Sequence, residues 1–130
     1  MDNSLVKKLL IKPGYSILLI NAPAGYREEL GTLPDGAQIV ETPQQTADMV
    51  QLFVTSKAEL HQYAQQAIDA VKKDGLLWIC YPKGSTKAKL DINRDILWNE
   101  MAQYHQTGVT LISINAIWSA MRFRRSGPTP

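Results

Sequence analysis

Two short runs, residues 15–20 and 76–81, constrain the fold most: both are apolar without alternation, and both are bounded by turn-forming residues. A strand with one wet face alternates apolar and polar side chains. A strand that does not alternate must be covered on both faces, which is the condition of a parallel sheet layered between helices. Residues 49–54 and 109–114 supply two further strands.

The segments between these strands carry helix signals. Ser56 and Glu59 form a capping box, and Leu60, Ala64, Ala67, Ile68 and Val71 recur at helical spacing before Asp74 and Gly75 stop the pattern. Asn93 caps a second helix running to about residue 106, with Ile96, Leu97, Met101 and Tyr104 inward and Gly108 closing it. Pro23 suits the first turn of a short helix ending near Leu30 and Gly31.

Two strand–helix–strand units, residues 49–81 and 76–114, predict right-handed crossovers and a parallel sheet. Residues 118–124 follow 109–114 closely enough to pair with them as an antiparallel hairpin. Residues 37–40 form a weaker strand. The connection 41–48 is too short for a helical crossover between parallel neighbours, so this strand is expected to be antiparallel, peripheral or absent. The expected fold is a single three-layer α/β domain over residues 1–125, with a mainly parallel, flavodoxin- or Rossmann-like sheet ending in an antiparallel edge hairpin. The 15–20 and 76–81 strands, the most uniformly apolar, are expected side by side at the centre, with 49–54 beyond the first. Residues 126–130 read as a disordered tail.

The 130 residues make room for one domain, which buries about two thirds of its unfolded surface and needs no staple. The lone Cys80 excludes a disulfide framework and a zinc quartet, and His61 and His105 have no metal-ligand spacing. No run of about 18 apolar residues spans a bilayer, and the N-terminal stretch lacks the apolar segment of a signal peptide, so the expected location is the cytoplasm, away from membranes. Fourteen Lys and Arg against twelve Asp and Glu give +2, too little to point to nucleic acid.

Every parallel strand ends in polar or special residues, and ligands of open α/β sheets bind at that C-terminal edge. The edge collects Asn21, Gly25, Tyr26, Thr55, Ser56, Tyr81, Lys83, Ser85 and Asn115, many of which also serve as ordinary turn formers and caps. Between residues 82 and 94, Lys83, Lys87, Lys89 and Arg94 face only Asp91, and Gly84, Ser85 and Thr86 can present backbone donors ahead of a helix N-terminus. An anionic small molecule is the expected ligand. Lys83, Ser85 and Arg94 would hold it, and Asn21, Tyr26 and Tyr81 would add neutral hydrogen bonds.

No P-loop spacing and no dinucleotide glycine fingerprint is present, so neither a cofactor nor a catalytic residue is assigned, and whether the chain is an enzyme stays open. The alternative is a non-catalytic interaction module or homodimer using the hairpin edge, with Trp118 and the arginines Arg122 and Arg124. A weaker third reading is nucleic-acid binding through the two basic clusters.

Several segments together carry a resemblance: Ile11 to Gly14, Asn21 to Pro23 with Gly25 and Tyr26, Ala58 to Leu60, Asp74 and Gly75 before Leu77 and Trp78, Tyr81 to Lys83, Asp91 to Asp95, and Trp118 to Ala120 with Arg122 to Arg124. Over residues 5–124 they resemble a family of small bacterial proteins catalogued only as a domain of unknown function. The resemblance implies a bacterial, cytoplasmic, single-domain protein and carries over no activity residue by residue.

Cys80 sits inside an apolar strand with no cation beside it in sequence to stabilise a thiolate. A thiol reagent is expected to label it slowly in the native state, and labelling at the rate of the urea-unfolded chain would overturn that. Replacing Leu77 or Ile79 by Ala is expected to cost about 2–5 kcal/mol in denaturant melts.

Overall fold

A computed structural model of the chain describes residues 4–40, 46–83 and 91–126. In order, the elements are α1 (Ser4–Leu9), β1 (Ser16–Ile20), α2 (Tyr26–Leu30), β2 (Gln38–Val40), β3 (Ala47–Phe53), α3 (Lys57–Ala70), β4 (Val71–Pro82), α4 (Arg94–Ala102), β5 (Gln106–Ser113) and β6 (Trp118–Arg125). They build one six-stranded sheet in the order β2-β1-β3-β4-β6-β5. The first four strands are parallel, and β6 runs antiparallel between β4 and β5.

The α/β class and the antiparallel hairpin at one side agree with the sequence, but the strand order does not. The 15–20 and 76–81 strands are not adjacent, because β3 lies between them and pairs with both. Apolar uniformity was a poor guide here: β3 contains Gln51 and yet is the more deeply buried strand, with residues from Met49 to Phe53 at most 1% exposed. The weak strand is peripheral, as one alternative had it, and parallel. It never has to neighbour β3, since both flank β1, and it is three residues long. Val40 at its end lies level with Leu18, and Met49 of β3 lies level with Ile17, so the chain has little height to recover between them.

One face of the sheet packs Leu18, Val50, Leu52, Leu77, Ile79 and Phe123 against Leu60, Ala64 and Ala67 of α3 and Leu97 and Met101 of α4. The other packs Ile17, Met49, Phe53, Trp78 and Cys80 under α1 and α2, through Val6, Leu9, Tyr26 and Leu30. Helix α1 is absent from the sequence reading, its six residues being too few for periodicity to register. Its position follows from Trp78, wholly buried, whose indole N–H needs a partner and donates to the Leu9 carbonyl at 3.2 Å.

Helix α3 starts as predicted, with Ser56 Oγ accepting from the Glu59 N–H at 3.0 Å. It ends at Ala70, four residues before Asp74, because Val71 turns extended and opens β4. Between Val71 and Leu76 five steps of β4 pass only two of β3, from Ala47 to Met49. Gly75 is required at this bulge: a Cβ there would lie 2.7 Å from the Asp48 carbonyl oxygen. Helix α4 is shut by His105 in left-handed backbone, φ 60°, whereas Gly108 belongs to β5 and lies under the Trp98 ring, 2.8 Å from where a Cβ would stand. Residues 127–130, read as part of a tail, lie outside the described residues, while Ser126 is bonded to His105 and Thr107. Among the described residues no helix is long and apolar enough to cross a membrane.

Asp48 fastens the lower ends of β1, β3 and β4. Its Oδ2 accepts from the Ser16 backbone N–H at 2.9 Å and from Ser16 Oγ at 3.2 Å, and its Oδ1 accepts from Lys72 Nζ at 3.0 Å. The Ser16 backbone N–H, ahead of Lys72, holds the carboxyl below its ordinary value. A depressed folded value means stability that is present above the unfolded value of 3.8 and lost as pH falls through the folded one. Asp48→Asn is therefore expected to lower unfolding free energy at pH 7 by about 1–2 kcal/mol. The gap to the native chain should close as pH drops below about 4, and a gap that stays constant down to pH 2 would refute the role of the charge.

Candidate functional site

The helix after β1 covers one face of the sheet and the helix after β3 covers the other, so a crevice opens between the upper ends of these two strands. Asn21, at the tip of β1, is exposed and left-handed, with φ 62°. Gly25 caps α2 at φ 84°, and a Cβ added to it would meet nothing within 4 Å. The backbone from 21 to 25 therefore borders open space.

Beneath this loop lies Tyr26, 1% exposed. Its ring meets Phe53 edge-on, centroids 4.8 Å apart, and Phe53 meets Trp118 edge-on at 5.2 Å. The Tyr26 hydroxyl is turned inward to Gln51 Nε2, 2.7 Å away. The same amide nitrogen lies 3.7 Å from Cys80 Sγ. Gln51 is fully buried, and its Oε1 has no partner among the described residues. Rotating the amide by half a turn would give the carbonyl to Tyr26 and orphan the nitrogen instead, so the strand carries a surplus hydrogen-bonding atom in either orientation. Burial pushes both the Tyr26 hydroxyl and the Cys80 thiol well above their ordinary values, and both stay protonated. Cys80 is thus an inert packing thiol.

On the far side of the same edge, Tyr81, Asn93, Arg94, Asp95, Leu111 and Ser119 line a shallow cavity of about 340 Å³. Asn93 is committed to capping α4 through the Ile96 N–H at 2.9 Å, and Arg94 Nε lies 3.3 Å from Asp95 Oδ1. Burial raises the Tyr81 hydroxyl above its ordinary value, with Arg94 pulling the other way.

The sequence-derived residues thus divide. Tyr81 and Arg94 share the cavity, while Asn21 and Tyr26 belong to the β1–β3 crevice. Lys83 lies between them with its Nζ on Ser113 Oγ at 2.6 Å, which ties the end of β4 to the hairpin. Ser85 lies outside the described residues. Tyr26 faces the interior, so its hydroxyl does not reach across the crevice in this state. Sequence reading passed over Gln51, whose signal was a lone amide between Val50 and Leu52. It also passed over Glu29, whose two carboxylate oxygens accept from Asn115 Nδ2 at 3.1 and 3.0 Å and join α2 to the hairpin turn.

No protein family model matches the chain, and no curated protein matches it in sequence. Solved structures do match its fold. A DhpI–SAH complex superposes with a TM-score of 0.65 at 10% identity, covering 96% of this chain and 82% of that one. A ribosomal protein L11 methylase from Lactobacillus delbrueckii subsp. bulgaricus gives 0.61 at 9% identity, covering 95% and 76%. The CcbJ methyltransferase from Streptomyces caelestis gives 0.61 at 7%, covering 96% and 89%.

The sheet is therefore that of a Rossmann-like fold, which the chain shares with these solved structures. The Rossmann-like class agrees with the sequence reading, but the likeness corrects the expectation of an uncharacterised α/β protein that binds an anionic small molecule at the C-terminal edge. It equally corrects the alternative of an interaction module or homodimer, and the free edge of the hairpin is β5, not the strand that carries Trp118 and the arginines. Strand β6 is paired on both sides, by β4 and β5, so Arg122 and Arg124 do not guard an edge.

The Tyr26–Gln51 pair makes a stability prediction. Tyr26→Phe leaves the buried amide short of its best partner and should cost about 1–3 kcal/mol. Tyr26→Phe with Gln51→Met removes both polar groups at similar volume and should recover most of the loss in urea melts. Additive losses in the double variant would show that the two groups do not interact.

Proposed function

We propose that the chain binds an adenosyl ligand, S-adenosylmethionine or S-adenosylhomocysteine, in the crevice between the tips of β1 and β3, and acts as a small-molecule methyltransferase. The observation that carries this reading is the sheet itself: a reversal of winding between β1 and β3, with an antiparallel strand inserted before the last parallel one. That sheet superposes over 93–96% of this chain on structures of complexes with SAM or SAH.

The residues at the crevice fit such a ligand in three respects. The backbone around Asn21 and Gly25 is open to close approach. Trp118, half-buried beside Phe53, offers aromatic surface for a purine. The surplus amide atom of Gln51 supplies hydrogen bonding that no group among the described residues uses, and it becomes reachable when the Tyr26 ring turns outward. With a single glycine in residues 21–25, side chains do work that a glycine-rich loop would give to backbone amides.

When bound, S-adenosylmethionine supplies an electrophilic methyl group. The chain's own contribution is position. Tyr81, kept protonated by burial, and Ser119 line the neighbouring cavity and can orient the polar groups of an acceptor. Lys83 and Asn115 hold the hairpin against β4 and α2 and keep the two places in register.

Calorimetry with S-adenosylhomocysteine, and thermal melts in its presence, test the binding. At a ligand concentration about a hundredfold above Kd, stabilisation of about 2.7 kcal/mol is expected, a rise in Tm on the order of 10 °C. Gln51→Met should weaken the effect, and transfer from methyl-labelled S-adenosylmethionine to a panel of small acceptors tests the reaction. No saturable binding at millimolar ligand would overturn the proposal.

A further inference from the structure

The opposite end of the sheet holds a cleft that the proposed methyl transfer does not use. Two adjoining cavities of about 510 Å³ each meet there and share Ile68, Gln106 and Arg125. Their apolar wall includes Leu77 and Phe123, each 2% exposed, with Val71 beside them. Their rim carries Lys72 and Lys73 from the start of β4 and Arg124 and Arg125 from the end of β6, against Asp69 and Asp74. Lys72 is engaged by Asp48, and Asp69 accepts from Gln65 at 2.9 Å. Lys73, Arg124 and Arg125 form no ion pair among the described residues.

Gln106 is the second, independent observation. It is 8% exposed and lines both cavities, yet its side-chain amide has no hydrogen-bond partner among the described residues. The fully buried side-chain atoms without a partner among the described residues are Gln51 Oε1 and Arg122 Nε, so the Gln106 amide opens onto the cleft and is available to a ligand at the meeting point of the two cavities. The charge on the rim says that partner is anionic. The apolar wall and the volume, several times what an oxyanion needs, say that it has an apolar body.

We infer that this cleft binds a phosphate monoester with an apolar body: the phosphate oxygens at Gln106 and the free cations Lys73, Arg124 and Arg125, the body against Ile68, Leu77 and Phe123. Six steps of β4 separate Gly75 here from Tyr81 at the other edge, roughly 20 Å of extended chain, so the two ligands would not touch. The competing account is that the cations only balance the carbonyl ends of α3 and α4, which finish at this edge. That account gives ionic-strength dependence without saturation or preference for an apolar body.

Phenyl phosphate and inorganic phosphate, each titrated into the full chain labelled with nitrogen-15 at constant ionic strength, separate the two. The expected result is saturable shifts at residues 71–75, 104–106 and 123–125. Phenyl phosphate should bind at least about tenfold more tightly than phosphate, because its ring leaves water. Arg125→Ala, at an exposed position, should weaken phenyl phosphate by about fivefold or more, consistent with loss of one charged hydrogen bond. Gln106→Glu, nearly the same shape with a like charge, should abolish binding. Shifts linear in ligand, equal affinities for the two probes, or affinities unchanged in Arg125→Ala would each overturn the inference.

Discussion

The burial of β3 on both faces is the constraint from which the rest of the structure follows. Met49 and Phe53 press into the layer under α1 and α2, Val50 and Leu52 into the layer under α3 and α4, and the strand pairs along both sides. No water reaches its residues 49–53, so every polar atom they carry must be satisfied within the protein or by something bound to it. Gln51 is that polar residue. Its demand draws the Tyr26 hydroxyl inward, seats the Tyr26 ring on Phe53 and pulls the short helix α2 down over the end of the sheet. The geometry of the candidate ligand crevice is a consequence of one amide in a dry strand.

What the sequence disclosed and what it hid divide along physical lines. The Ser56 cap, with Glu59 reaching back to the Thr55 N–H in place of the Ser56 N–H, the asparagine cap at Asn93 and the run at residues 76–81 are local signals realised in the structure. Lateral order in the sheet is not local. Ranking strands by apolar uniformity placed 49–54 outside because Gln51 interrupts it, when the interruption marks the strand most deeply enclosed. The same blindness affected the site. Asn21, Tyr81 and Arg94 could be placed at the upper edge from their position after strands or before a helix, whereas the inward turn of Tyr26 depends on a partner 25 residues away. Helix α1 depends on Trp78, 69 residues from its carbonyl partner.

The two ends of the sheet do different work. At the upper end the winding reverses between β1 and β3, and aromatic rings, an unpartnered amide and open backbone gather where Rossmann-like folds take their ligands. At the lower end Asp48 and Ser16 tie the strands together, and beside them the bulge in β4 and the close of β6 bring cations around a second unpartnered amide. Above, a buried amide oxygen lacks a partner among the described residues; below, the Gln106 amide opens onto a cleft, and the surroundings differ in chemistry: aromatic and neutral above, cationic and aliphatic below. Such asymmetry suits two ligands of different kinds on one small domain.

A crystal structure of the chain with S-adenosylhomocysteine tests the central claim most directly, because it reads the fate of the Gln51 amide. The account predicts ligand between the loop of residues 21–25 and the tip of β3, the Tyr26 ring swung out of its seat on Phe53, and a ligand atom within hydrogen-bond distance of Gln51. Tyr26 still bonded to Gln51, with the ligand elsewhere or absent under saturating conditions, would contradict it.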